Sequence, residues 1–243
     1  YQELIEVTKE FYGKIGMKIR ARLSFRGKTD AKKYLGEPKL WKQAEDILLK
    51  IAKQNNLDYF VAENEAAFYG PKIDFMSKDS LNREWQLATP QLDFVQPKRF
   101  ELTYTDKDGK QQTPVMIHFA LMGSIERFLS VYIEHTAGVF PLWLSPIQIS
   151  IISISEKHLE YASKIKKELE KNNIRTELKN ENETLGKKIR EAEIQKTPYL
   201  LIIGDKEIQA NSVSVRERSK GDTGSVKLEE FIEKIKKEIS ERK

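Results

Sequence analysis

Cysteine is absent from the 243-residue chain, and histidine occurs three times. Without thiolates there are neither disulfides nor Cys-built zinc sites, so a metal held by this chain alone would depend on His, Asp or Glu. No apolar run reaches the roughly 18 residues that a membrane-spanning helix needs. The first residues also lack the basic-then-apolar order of a secretory signal. Short chemical signatures are missing too: there is no glycine-rich P-loop, no dinucleotide-binding glycine pattern and no HExxH. These absences lead to the expectation of a soluble, cytoplasmic protein with no membrane partner, and they leave its chemistry open.

What is present is an apolar content of 39%, enough for a real core, and a mixture of 42 basic and 37 acidic side chains with a net charge of +5. The length suits one large domain or two ordinary ones. Mixed charge permits RNA as a partner, but on composition alone a solvated surface explains it better. The chain opens on Tyr1 rather than Met, so it is expected to be an excerpt of something longer.

Apolar spacing predicts a helix over residues 1–17, a strand over 17–25 and an amphipathic helix over 38–55. Strands are expected at 59–63, 72–77 and 85–94, with a turn at 96–99. An Asp-Gly pair suits a hairpin joining 101–105 to 113–118, and a helix is expected over 123–136. This half reads as α+β, an antiparallel sheet with flanking helices. Pro141, Trp143 and Pro146 interrupt any period over 138–146, which places a boundary there. Beyond it, strands at 147–155, 174–178, 199–203 and 211–218 alternate with helices at 158–172, 185–195 and 227–243. That alternation predicts an α/β domain on a mainly parallel mixed sheet. The expected organisation is therefore residues 1–140 and 146–243.

The specific signal lies in longer strings. Phe68-Tyr69-Gly70-Pro71-Lys72-Ile73-Asp74-Phe75 is followed by Trp85-Gln86 and Thr89-Pro90-Gln91-Leu92-Asp93-Phe94. Val115-Met116-Ile117-His118 and Gly123-Ser124-Ile125-Glu126-Arg127-Phe128 come next. In order and spacing these closely resemble the C-terminal half of the class II catalytic domain of threonyl-tRNA synthetases. Trp143-Leu144-Ser145-Pro146, Gly186-Lys187-Lys188-Ile189-Arg190-Glu191 and Gly204-Asp205-Lys206-Glu207 resemble the anticodon-binding domain of the same family.

The resemblance implies a threonine–tRNA ligase that activates threonine with ATP and Mg2+, esterifies it to threonine tRNA, carries Zn2+ and forms a homodimer when complete. It implies that Arg127 is catalytic, gripping the triphosphate, with Ser124 beside it on the ATP side. A guanidinium suits that role because it is permanently charged and offers forked donors to phosphate oxygens. Read locally, Arg127 would be an ordinary helix-surface arginine paired with an acid. Tyr69, Lys72, Gln86, Thr89 and Gln91 match positions that line the substrate pocket or contact the adenylate; read locally, they are an alternating, half-exposed strand. His118 matches one of three protein ligands to a zinc ion that holds the amino group and hydroxyl of threonine. Metal is apt there, since packing alone separates threonine poorly from valine. The other two ligands are absent from this chain, and a lone His is ordinarily structural, as His135 and His158 are read to be.

Asn182, Glu207 and Arg216 match positions that read anticodon bases, for which an amide, a carboxylate and a guanidinium suit exposed base edges. Lys187, Lys188 and Arg190 are expected to add phosphate contacts. Some positions depart from the family pattern: Asn64 and Ala66 replace glycines around Glu65, and Phe119 follows His118 where an arginine is usual. Class II motifs 1 and 2 are not in the chain, which is expected to be inactive alone. Two other readings stand beside this one: a non-catalytic tRNA- or nucleic-acid-binding paralogue, and another synthetase with the same type of anticodon domain. The 115–118 string argues against the second.

Overall fold

The computed structural model describes residues 1–27 and 33–242. It divides into two compact units, Tyr1–His135 and Thr136–Lys243.

In the first unit, α1 (Gln2–Lys14) buries Ile5, Thr8 and Tyr12, a helical spacing that puts one stripe against the core. The chain then runs through β1 (Arg20–Phe25), α2 (Pro38–Gln54), which opens with proline in its first turn, and β2 (Tyr59–Glu63). A helix between two strands lets the second return in the same direction, and β2 pairs parallel to β1. The next strands, β3 (Lys72–Lys78), β4 (Glu84–Asp93) and β7 (Met116–Ala120), add antiparallel to give the order β2-β1-β3-β4-β7. The expected antiparallel sheet is present, with one parallel pair at its edge.

Between β4 and β7 lie α3 (Gln96–Arg99), where a turn was expected, and a small ribbon of β5 (Tyr104–Thr105) and β6 (Gln111–Gln112). The hairpin is shorter than the sequence predicts. Its tip is held by Asp106, which accepts from the N–H groups of Asp108 and Lys110. The arms are only two residues each, because the expected second arm pairs with β4 as β7. The last helix of the unit, α4 (Ile125–Thr136), turns Phe128, Val131 and Tyr132 inward. There Phe128 packs against Phe11 and Tyr12 of α1. Ile73, Phe75, Leu23 and Leu87 fill the sheet side of this core, each contributing about 1.5–3 kcal/mol through burial. Strand alternation then sends Lys72 and Asp74 to the opposite face.

The second unit runs β8 (Ile149–Ser153), α5 (Leu159–Lys171), β9 (Thr176–Lys179), α6 (Leu185–Ile194), β10 (Tyr199–Ile203), α7 (Asp205–Ala210), β11 (Ser212–Glu217), β12 (Gly221–Lys227) and α8 (Leu228–Ser240). The sequence reading carried the last helix on to Lys243, which lies outside the described residues. Strands β9, β8 and β10 are parallel, and β11 and β12 complete one side antiparallel, in the order β12-β11-β10-β8-β9. One face packs Ile149, Ile151, Leu201 and Val213 against Leu169, Phe231 and Ile235, while the other packs Ile152, Leu200 and Ile202 against Ala192.

Ser155, His158 and Asp205 fall in series here, but they form a clasp rather than a hydrolytic triad. The Ser155 backbone N–H donates to Nδ1 of buried His158 at 3.1 Å, so Nε2 carries the proton and donates to Asp205 Oδ1 at 3.2 Å. The ring thereby ties the end of β8 to the start of α7.

Candidate active-site face

Strand register lines up four side chains across four strands of the first sheet. Ser24 of β1 pairs with Lys72 of β3, Lys72 with Gln91 of β4, and Gln91 with His118 of β7. All four therefore rise from the face opposite the Ile73–Phe75 core.

The centre of this face is Asp74, which has no exposed surface. Its Oδ2 accepts from Arg22 Nη2 at 2.9 Å, Ser24 Oγ at 2.6 Å and Lys72 Nζ at 2.6 Å, and its Oδ1 from Thr89 Oγ1 at 2.8 Å. A carboxylate this deep is tolerated because its charge is paired and its lone pairs are used. Arg22 reaches on to Gln86 Oε1 at 3.1 Å and to Glu65 at 3.5 Å. On the other side Gln91 Nε2 donates to Thr89 Oγ1 at 3.3 Å, and the Tyr69 hydroxyl donates to Gln91 Oε1. Burial, with the Asp93 charge nearby, pushes the Tyr69 phenol upward, so it stays a donor. Gly70 is what lets Tyr69 sit there: a Cβ on it would stand 2.0 Å from the Leu92 carbonyl oxygen. Tyr69, Lys72, Gln86, Thr89 and Gln91 are thus joined through Asp74 and Arg22, to which the sequence reading gave no role. A signal was available, since Asp74 is a charge inside the apolar run of β3.

His118 lies at the end of the row, its ring 5.4 Å from that of Tyr69. Its Nε2 meets Asp93 Oδ2 at 2.8 Å, while Asp93 Oδ1 takes the N–H groups of Val95 and Gln96. A carboxylate behind an imidazole is the arrangement that orients metal-binding histidines, and here it leaves Nδ1 for a ligand bond. Among the described residues no group of three or more His, Cys, Asp or Glu could hold a metal. The imidazole and the carboxylate behind it have the chemistry of a single metal ligand, and by themselves they do not make a metal site. Phe119 alternates to the opposite face of β7, across from Pro90, away from this row.

Ser124 precedes α4 and accepts the Arg127 N–H on its Oγ at 3.2 Å, a helix cap. The turn before it needs Gly123, whose φ is +68° and whose Cβ would come within 2.7 Å of the Leu87 carbonyl oxygen. The exposed Arg127 guanidinium lies 5.9 Å from the Trp85 ring centre and 3.5 Å from the Gln86 carbonyl oxygen. No carboxylate among the described residues pairs with it.

In the second unit Asn182 is exposed in the loop between β9 and α6, and Glu207 lies in α7 after β10. Both follow the carboxyl ends of parallel strands, where α/β sheets present their loops. Glu207 Oε2 accepts the Gly204 N–H at 3.0 Å. Arg216 is set further along β11, opposite Leu200, with Glu193 at 3.7 Å and its Nε buried without a hydrogen-bond partner among the described residues. Lys187 pairs with Glu183 at 2.5 Å, and Arg190 is exposed. Lys188 departs from expectation. It is 4% exposed and gives its ammonium to the carbonyl oxygens of Ser153 and Lys179, so burial removes it from the phosphate-contacting set.

Residues 1–136 match the model of the class II tRNA synthetase core domain of the G, H, P, S and T group, and residues 148–238 match the anticodon binding domain model. The chain belongs to the class II tRNA synthetase family. Its relatives include the threonine–tRNA ligase of Caldanaerobacter subterraneus subsp. tengcongensis, 47% identical over 98% of this chain and 36% of that protein. That of Carboxydothermus hydrogenoformans is 46% identical over 99% of this chain and 37% of its own length. This class II chain thus spans about a third of the length of the curated relatives it matches. A solved structure described as the RNA binding domain of threonyl-tRNA synthetase from Cryptosporidium parvum Iowa II superposes with a TM-score of 0.89 at 36% identity, covering 97% of this chain and 59% of that one. No helix among the described residues is long and apolar enough to cross a membrane.

Proposed function

We propose that the chain serves as the C-terminal part of a threonine–tRNA ligase, with residues 1–140 completing the catalytic domain and residues 146–243 reading the anticodon of threonine tRNA. The observation that carries this is the row Ser24–Lys72–Gln91–His118, in which Ser24 and Lys72 bond Asp74, Gln91 reaches Asp74 through Thr89, and Asp93 backs His118. Donors and acceptors of fixed direction on one sheet face are what a polar amino acid and its adenylate require.

In this reading Tyr69, Lys72, Gln86, Thr89 and Gln91 hold threonine and its adenylate. A carboxylate oxygen of threonine attacks the α-phosphorus of ATP, the bond to the β-phosphate oxygen breaks, and pyrophosphate leaves. Arg127, on the helix capped by Ser124, meets the charge that gathers on the departing phosphates, alongside Mg2+ brought with ATP. Zinc held by His118 and two ligands from the rest of the enzyme would supply recognition of the threonine amino group and hydroxyl. Alone, the chain is inactive, because motifs 1 and 2 and those two ligands are not in it. The complete enzyme is a cytoplasmic homodimer. At the second unit Asn182, Glu207 and Arg216 read anticodon bases.

Filter binding of threonine tRNA and its anticodon variants tests the assignment. Glu207→Ala and Arg216→Ala should each lose about 1–3 kcal/mol of discrimination at one anticodon base. Affinities unchanged across all variants reject the anticodon role.

A further inference from the structure

We propose that Trp85, fastened by Asp79, is the positioning residue for Arg127. The inference rests on the assignment of Arg127 to the triphosphate of ATP.

Asp79 follows β3 at the turn into β4 and is buried, 6% exposed. Its Oδ1 takes the N–H groups of Leu81 and Arg83, both at 2.9 Å, and its Oδ2 takes Arg83 Nε at 2.6 Å and Trp85 Nε1 at 2.9 Å. One carboxylate thereby closes the turn and pins the indole by its only polar atom. A tryptophan held at its N–H has its ring plane set, because only two torsions orient it.

Two guanidiniums lie over that ring, Arg83 at 5.8 Å and Arg127 at 5.9 Å from its centre. Both are within the roughly 6 Å reach of a cation–π contact. They differ in what else they touch. Asp79 already meets the charge of Arg83, whereas Arg127 comes from α4 and, among the described residues, finds beside the ring only the Gln86 carbonyl. An acid would hold Arg127 equally still, but it would neutralise the guanidinium and compete with a phosphate. An aromatic face orients the head and leaves its N–H edge free to donate. Gln86 adds a tie to the substrate face, since the residue whose carbonyl meets Arg127 also binds Arg22 through its side chain.

The test is threonine-dependent ATP–pyrophosphate exchange by the whole synthetase carrying this segment. Trp85→Leu should raise KM for ATP roughly tenfold and leave KM for threonine within about twofold. Trp85→Phe keeps a ring but loses the bond to Asp79, and should fall between, at roughly threefold. In an Arg127→Ala background neither Trp85 change should raise KM for ATP further, because the ring acts only through the guanidinium. Should Trp85→Leu fail to fold, Trp85→Phe carries the same cycle. Trp85 effects that add in full to Arg127→Ala overturn the positioning role while leaving Arg127 in place. An Arg127→Ala enzyme with an unaltered KM for ATP rejects the triphosphate assignment itself, and this inference with it.

Discussion

Nε2 of His118 stands 2.8 Å from a carboxylate oxygen of Asp93, an acid with no exposed surface that also holds the first N–H groups of α3. The ring orientation is therefore set from behind. In the complete enzyme Asp93→Ala should weaken zinc affinity about 10–100-fold, read by competition with a chromophoric chelator. An affinity within twofold of the parent would show that His118 is oriented by something else.

Asp74 pairs with two cations on this face, Arg22 and Lys72, and Arg22 has Glu65 as a second partner. Removing Asp74 takes the counter-charge from buried Lys72 and leaves Arg22 to the more distant Glu65. Asp74→Ala should destabilise the first unit by about 3–5 kcal/mol, measured as the urea transition followed by tryptophan fluorescence in a Trp143→Phe background. Replacing the acid with no loss of midpoint would mean that the network contributes little.

Asp79 carries a pH signature. Burial alone would raise its pKa, but Trp85, Arg83 and the N–H groups of Arg83 and Leu81 outweigh that and hold it at about 2, down from 3.8. A depressed acid stabilises the fold while ionised, so this contribution is whole above 3.8 and fades as pH falls toward 2. Over that window the parent should lose stability more steeply than Asp79→Asn. Parallel curves would show that the carboxylate is not coupled to folding.

Lys188 and Arg190 should separate in a salt titration. Arg190→Ala is expected to reduce the slope of log K for tRNA against log salt by about 0.7–0.9, one phosphate contact. Lys188→Met should leave that slope alone and change the thermal stability of the second unit. The reverse pattern would put Lys188 back on the RNA surface.

How much of this was legible in the sequence depended on whether apolar pattern carried the information. The buried strand β10 was read residue for residue, because Tyr199–Ile203 is an unbroken apolar run. In contrast α7 is short and polar, and β12 is broken by Gly221 and Gly224, so neither gives a period. The β1–β2 pairing was hidden because β2 is half-exposed and its partner lies beyond a helix. On the candidate site, the motif strings named side chains that lie together around Tyr69 and Gln91 but said nothing of what connects them. The hub at Asp74 depends on register across three strands, and the Trp85–Arg127 stack joins distant elements. The burial of Lys188 is legible in the sequence, since it falls on the same helical face as Leu185 and Ala192.

The hydrogen bonds around Asp74 also bear on the entropy of binding. Tyr69, Gln91, Thr89, Lys72 and Arg22 already hold one another in place. Ordering a mobile polar side chain on association costs roughly 0.5–1.5 kcal/mol, and here that loss is taken during folding. A ligand entering this face therefore meets a surface with few rotamers left to surrender, and it binds by exchanging partners within a preorganised set.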